Sequence, residues 1–245
     1  MDKSYEAKYH VVELSHWWFV TRREVVRSLV EKLNFSGNLL DIGCASGQLV
    51  KEIHADGVSK EQLYGVDISE VAVEGAKEMG YDQCYVMDGA DPKFEPAHFE
   101  VIVSSDCLEH LEDDKKALLN WYNLLKPGGK AIIFVPAYMF LWTSHDEVNH
   151  HYRRYTRKEL KTKCKNAGFK VEQSGYWNFF LFFLVAPVRV LSRWLNKDSG
   201  DDASMPSPIV NNLFKITLRI ENALFKIIRF PFGVSTYVVL EKPKN

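Results

Sequence analysis

From Asn38 onward, short apolar runs alternate with stretches of helical three-and-four spacing, and turn residues mark each change. The runs are Leu39–Ile42, Leu63–Asp67, Cys84–Met87, Phe99–Val103, Ala131–Val135, Phe169–Glu172 and Val234–Leu240. Between them, Ser46 and Ser69 stand where they can cap helices carrying Leu49, Val50 and Ile53, and Val71, Val73 and Ala76. A further helix is expected to turn Leu118, Leu119, Trp121, Tyr122 and Leu125 inward and to stop at Lys126-Pro127-Gly128-Gly129. Thr156-x-x-Glu159 has the form of a capping box, and Ala167-Gly168 closes its helix. Strands alternating with helices imply parallel β-α units, hence an α/β, doubly wound sheet of about seven strands with helices on both faces.

Two apolar segments precede the last run. In Trp177–Leu195 the unbroken apolar stretch is only Phe179–Val188, about half of the ~20 residues a spanning helix needs, and Pro187 is expected to interrupt a helix there. After a polar linker, 196–208, Ile209, Leu213, Ile216, Ile220, Leu224 and Ile227 recur at helical spacing. Lys215, Arg219, Asn222, Lys226 and Arg229 recur on another face. That is a basic amphipathic helix, either a cap packed on the domain or a lid that meets a membrane or lipid-like substrate. The expected division is an N-terminal helical cap (1–36), a main domain (37–176 with 231–245) and a helical insert (177–230).

The chain has 245 residues and a formal net charge of −1. With 46% hydrophobic and 26% charged residues it has the make-up of a globular protein, which excludes disordered, collagen-like and disulfide-scaffold classes. Near-zero charge argues against nucleic acid as a partner. Cys44, Cys84, Cys107 and Cys164 form no C-x-x-C pair and read as reduced thiols. Met1–Val20 lacks the layout of a signal peptide, so a cytoplasmic place is expected, with peripheral contact at the inner membrane face if the insert meets lipid.

In an open α/β sheet ligands bind outside the carboxyl ends of the strands. Asp41-Ile42-Gly43-Cys44-Ala45-Ser46-Gly47 is a small-residue turn after the first run, and Asp67 ends the second, 24 residues after Gly43 (67 − 43). A carboxylate there can accept two ribose hydroxyls. The match to G-x-G-x-x-G is poor, because Ala45 and Gln48 occupy the later glycine positions, so a nicotinamide dinucleotide is disfavoured. Asp88-Gly89, Ser105-Asp106 and the Lys-Pro-Gly-Gly turn complete an ordered set.

The segments LLDIGCASGQLV, YGVDIS, VMDGAD, FEVIVSSDCLEHLED and LLKPGGKAIIFVP, in this order, resemble the class I S-adenosylmethionine-dependent methyltransferases over roughly Asn38–Pro136. The resemblance implies a mostly parallel, Rossmann-like sheet and S-adenosyl-L-methionine as cofactor. It implies that Gly43, Ala45 and Gly47 lie against the methionine and ribose, and that Asp41 orients the amino acid end. Asp67 would bind the ribose hydroxyls, Ile68 the adenine face, Asp88 and Gly89 the adenine edge, and Ser105 and Asp106 the methionine amino group. His16-Trp17-Trp18-Phe19 with Arg22-Arg23 resembles the N-terminal cluster of a bacterial subset, in which an arginine, here Arg23, would pair with the cofactor carboxylate.

Methyl transfer to a hydroxyl or amine needs a base. The candidates are His110, after the fourth run, and His145 and His150 in the loop Trp142–Tyr155. His145 with Asp146 or Glu147, and His150 with His151, have the look of metal ligands, but their spacing matches no metal motif, and no metal is expected. The expected function is thus methylation of a small-molecule or lipid-linked acceptor. The competing readings are an NAD-dependent oxidoreductase on the same kind of sheet and a cofactor-binding protein without catalysis. Oligomeric state is not legible in the sequence.

Overall fold

The computed structural model describes residues 12–194 and 205–244. Seven strands form one sheet in the order β3-β2-β1-β4-β5-β7-β6. They are β1 (Leu39–Ile42), β2 (Leu63–Asp67), β3 (Cys84–Val86), β4 (Phe99–Ser105), β5 (Leu125–Pro136), β6 (Lys170–Trp177) and β7 (Ser235–Glu241). The first five pair in parallel, and β7 runs antiparallel to both β5 and β6. The order reverses between β1 and β4, so the carboxyl ends of these two strands frame the crevice where such sheets take ligands.

Both faces of the sheet are covered. Side chains alternate along a strand, so Leu39, Val101, Val103, Ile132 and Phe134 enter one core, and Leu40, Ile42, Ile102, Ile133 and Val135 enter the other. The first core is closed by Val25, Val26, Leu29 and Val30 of α1 (Trp17–Leu33), by α2 (Gln48–Ala55) and α3 (Glu70–Glu78), and by Leu218 and Phe225 of α8 (Pro208–Phe225). The second is closed by Leu118, Trp121 and Leu124 of α4 (Asp114–Leu124) and by Leu160 and Cys164 of α6 (Arg157–Asn166). The segment expected as an N-terminal cap thus supplies part of the main core.

Several local expectations are corrected. Ser46 does not cap α2: the cap is Gly47, and the Ser46 hydroxyl donates instead to Glu13 at 3.0 Å. Leu119 points to solvent, and Leu125 opens β5, with Lys-Pro-Gly-Gly drawn into that strand through a bend at Gly128 (φ 81°). β6 is longer than its apolar alternation, because its partner β7 holds Gln173, Ser174 and Gly175 in register. Ser69 does cap α3, accepting from the Ala72 amide, and Thr156 and Glu159 form the capping box.

The insert holds two helices, α7 (Phe182–Trp194) and α8, and most of the polar linker, 196–204, lies outside the described residues. α7 continues through Pro187. The tertiary setting outweighs the ~3 kcal/mol that an interior proline costs a helix. Among the described residues no helix is long and apolar enough to cross a membrane. α8 sits against the fold with a polar face. Asn211 accepts from the Trp17 amide (2.8 Å), Asn222 accepts from Trp177 Nε1 (2.8 Å), and buried Glu221 accepts from the Phe179 and Phe180 amides (3.0 and 2.9 Å). Burial raises the Glu221 carboxyl above its ordinary range, and the amide bonds oppose that. Glu221→Leu would orphan both amides at the start of α7, at about 1–3 kcal/mol each. The melting temperature is expected to fall by roughly 5–15 °C, and an unchanged melting curve would show that the clamp carries no stability.

Candidate functional site

The carboxyl ends of the central strands open into a cavity of about 1130 Å³. Its floor is the turn after β1. Gly43 has φ 78°, and a Cβ there would lie 2.8 Å from the Cys107 Cβ, so this close approach admits only glycine. Ala45 also adopts the left-handed region (φ 45°), at a cost of roughly 1–2 kcal/mol, and it lines the cavity with Gly43 and Cys44. Gly47 does not. Its Cβ would meet the Ala76 Cβ at 2.9 Å, so its role is to let α2 start against α3.

Asp67 is fixed at the end of β2: one carboxylate oxygen accepts from the Ala45 amide (2.9 Å) and the other from the Ser69 amide (3.0 Å). Asp41 lies behind it, almost fully buried, and its carboxyl is pushed up to about 7 by burial and then by the charges of Asp67 and Glu13, with Arg22 opposing. Ile68 is 80% exposed at the rim, a cost to the free protein that a flat apolar ring laid on it would remove. Asp88, Gly89, Ser105 and Asp106 complete this half of the wall. The Ser105 hydroxyl and one oxygen of Asp106 are buried without a hydrogen-bond partner. Such a set suits a ligand that combines a diol, an ammonium group and a flat ring.

The N-terminal cluster closes this half from above. Arg22, not Arg23, faces the strand ends: it pairs with Asp106 and lies over the rings of Trp18 and Phe19. Arg23 is at the wall, but its guanidinium is engaged by Glu52 (2.8 Å) and the Glu13 carbonyl (3.0 Å).

The other half of the cavity gathers the histidines. His110 and His145 line it, whereas His150 is exposed. The loop instead turns His151 inward. His151 Nδ1 lies 2.8 Å from Asp146 Oδ1, and Asp146, fully buried in α5 (Ser144–Val148), also accepts both Nε and Nη2 of Arg154 (2.8 Å each) and the Thr143 amide (2.9 Å). These contacts overcome burial and hold the Asp146 carboxyl well below the usual carboxylate range. A carboxylate so held fixes the imidazole with Nδ1–H as donor and leaves Nε2 to take a proton. The His110 ring stands edge-on to His151 at 4.4 Å between centroids, and burial, then His151, lowers its pKa to about 4. Glu109 is fully buried with neither oxygen hydrogen-bonded, and burial raises it to about 8, so it is mostly protonated at neutral pH. Glu109, His110 and His151 bring potential ligand atoms within 4.8 Å of one another, a grouping the sequence spacing did not reveal. Apolar walls from Trp17, Leu184, Val185 and Val188 complete the chamber.

The family model of a methyltransferase domain matches residues 16–174. The ubiquinone biosynthesis O-methyltransferase of Nitrosococcus oceani is 28% identical over 155 residues, which span 55% of this chain and 64% of that protein, a little under two thirds of its length. Among solved structures, phosphoethanolamine N-methyltransferase 2 of Haemonchus contortus, crystallised with phosphomonomethylethanolamine and S-adenosylhomocysteine, superposes with a TM-score of 0.62 at 18% identity, covering 99% of this chain and 58% of that one. An S-adenosylmethionine-dependent methyltransferase of Mesorhizobium loti gives 0.55 at 16% identity, over 83% of this chain and 90% of that one. At these identities the likeness establishes the fold.

Proposed function

Since the chain belongs to the methyltransferase-domain family, whose methyl donor is S-adenosylmethionine, we propose that it O-methylates a small, apolar or lipid-linked acceptor, with His151 as the base. The observation that carries this reading is that one cavity joins Gly43, Asp67 and Ser105 to the His151–Asp146 pair.

In this reading Asp67 holds the ribose hydroxyls, Ile68 backs the adenine, and Asp88 and Gly89 meet its edge. Asp41, Ser105 and Asp106 receive the amino acid end, with Arg22 near its carboxylate. S-adenosylmethionine, when bound, supplies a methyl group already activated on a sulfonium, so the protein's tasks are alignment and proton removal. His151 Nε2 takes the acceptor's hydroxyl proton as the oxygen attacks, and the Asp146 carboxylate stabilises the imidazolium that forms. Protonated Glu109 and neutral His110 orient the acceptor oxygen by hydrogen bonding.

The apolar wall from α1 and α7 favours a hydrophobic acceptor, such as a quinone precursor or a polyprenyl-linked sugar, and the name of the Nitrosococcus oceani relative supports O-methylation. An enzyme for such an acceptor would work peripherally at the inner membrane face. Calorimetry tests the cofactor half. S-adenosylhomocysteine is expected to bind and NAD not to bind, because Gly47 is packed on Ala76 and leaves no glycine-lined seat for a diphosphate. NAD binding without S-adenosylhomocysteine binding would overturn the reading. A labelled-methyl assay across phenolic and polyprenyl acceptors tests the other half, with polar acceptors alone as the outcome that rejects the hydrophobic class.

A further inference from the structure

The amphipathic helix is mounted the opposite way round from a core helix. Its buried side is set by Asn211, Leu218, Glu221 and Phe225, and the polar members of that set are bonded to α1 and to the start of α7. The apolar stripe lies on the far side: Ile209 is 82% exposed, Leu213 58%, Ile216 57% and Ile220 55%, and Ile227 just beyond the helix is 84% exposed. At 100° per residue the four within the helix stay within about 30° of one line, opposite Leu218. Exposed isoleucines scattered singly need no explanation, but a continuous stripe of them does.

We infer that this stripe is a docking face for an anionic lipid bilayer, on which α8 lies in the plane of the surface. Charge decides between occupants. Glu221 is the one acidic residue in α8, and it is fully buried, while Lys215, Arg219 and Lys226 run along one flank of the stripe. Arg219 is paired with Glu24 (2.7 Å), and Lys226 and Arg229 are exposed. A second copy docked antiparallel across a two-fold axis would bring a cationic flank against the same flank, which repels. A surface of phosphate headgroups takes the cations, and the acyl boundary takes the isoleucines.

The preceding helix, whose start is tied to the buried side of α8 through Glu221, reaches the cavity. α7 contains no acidic residue, and Leu184 and Val188 line the cavity while remaining 51% and 59% exposed. In this inference an acceptor anchored in the bilayer would enter the cavity past Leu184 and Val188, which are exposed and line the same cavity as His151. That last step deepens the proposed reaction and rests on it, whereas the docking itself does not.

The test uses the full chain with vesicles of phosphatidylcholine alone or with phosphatidylglycerol. Flotation is expected with the anionic vesicles only, weakening as salt rises. Ile216→Asp/Ile220→Asp should abolish it, and Lys215→Ala/Lys226→Ala should weaken it roughly thirtyfold. All four side chains lie outside the cavity wall, so S-adenosylhomocysteine affinity should not change in either variant, and circular dichroism should show both folded. Absence of flotation at low salt with intact S-adenosylhomocysteine binding would overturn the docking and leave the reaction standing. Flotation without S-adenosylhomocysteine binding would do the reverse. A dimer that Ile216→Asp/Ile220→Asp dissolves, with no vesicle binding, would assign the stripe to a second copy and overturn the inference.

Discussion

His151→Ala is expected to lower kcat by roughly a hundred- to ten-thousandfold, the usual contribution of a positioned general base, on any acceptor that the unmodified protein methylates. S-adenosylhomocysteine affinity should stay the same, because His151 belongs to the half of the cavity away from Asp67. The pH profile gives a second readout. A base must be unprotonated to accept the acceptor's proton, so kcat/KM should fall toward acid pH, and that acid limb should vanish in the alanine variant. The other histidines are controls with different expectations. His150 is exposed and its removal should leave kcat unchanged. His110, lowered to about 4 by burial, is too weak a base for the task, so its loss should act mainly through acceptor binding and raise KM. A His151→Ala variant within threefold of the unmodified kcat, with His110→Ala inactive, would transfer the role to His110. Asp146 is the poorer target. Removing it would leave the buried Arg154 guanidinium without its partner, a loss of about 3–5 kcal/mol that confounds folding with catalysis.

The strand-end wall of the cavity was legible in the sequence because its signals are local. An apolar run, a small-residue turn and an acidic residue at the next strand end follow from strand geometry, and the sheet brings those ends together whatever the rest of the chain does. The acceptor half depends on contacts that no spacing encodes. His150 and His151 are adjacent, and only one can face inward. The choice is made by the left-handed turn at His150 (φ 56°) and by the return of the His151 amide to the Asp146 carbonyl (2.8 Å). Arg22 and Arg23 pose the same ambiguity on a helix, where one residue is a 100° rotation, and Glu52 on α2 captures the second. Gly47 read as a ligand contact because glycine near a strand end has two uses, and the proximity of Ala76 selects the other. For α8 the periodicity predicted a helix with an apolar and a basic face, but carried it to 230 where the structure ends it at Phe225, and set Asn222, which bonds to Trp177 and Thr21, on the basic face. It could not tell which face the fold would bury, because that was settled by amides of α1 and α7 that need Asn211 and Glu221 as acceptors.

Asp67→Ala should weaken S-adenosylhomocysteine binding roughly ten- to a hundredfold, since hydrogen bonds to a charged group contribute about 1.5–3 kcal/mol. The carboxylate is anchored by the Ala45 and Ser69 amides, so it meets a diol without first having to be ordered. Two consequences separate this role from a merely structural one. Asp67→Asn keeps the size and one acceptor oxygen, and it should fall between the alanine variant and the unmodified protein. The second consequence concerns Asp41, which burial, and then the Asp67 charge, raise to about 7. A carboxyl raised in the folded state stabilises it fully below its ordinary pKa, and that stabilisation is lost as pH climbs toward and through 7. At pH 5 Asp41 is neutral and Asp67 is only an anchor for two amides, so Asp67→Ala should lower the melting temperature. At pH 8 both are ionised and repel, so the same substitution relieves a strain and the deficit should shrink or reverse. Thermal melts at the two pH values, set beside calorimetry, would then show a residue kept at a cost to the free protein because the ligand needs it. A deficit equal at both pH values, with affinity unchanged, would reduce Asp67 to a turn anchor and move the diol contact elsewhere.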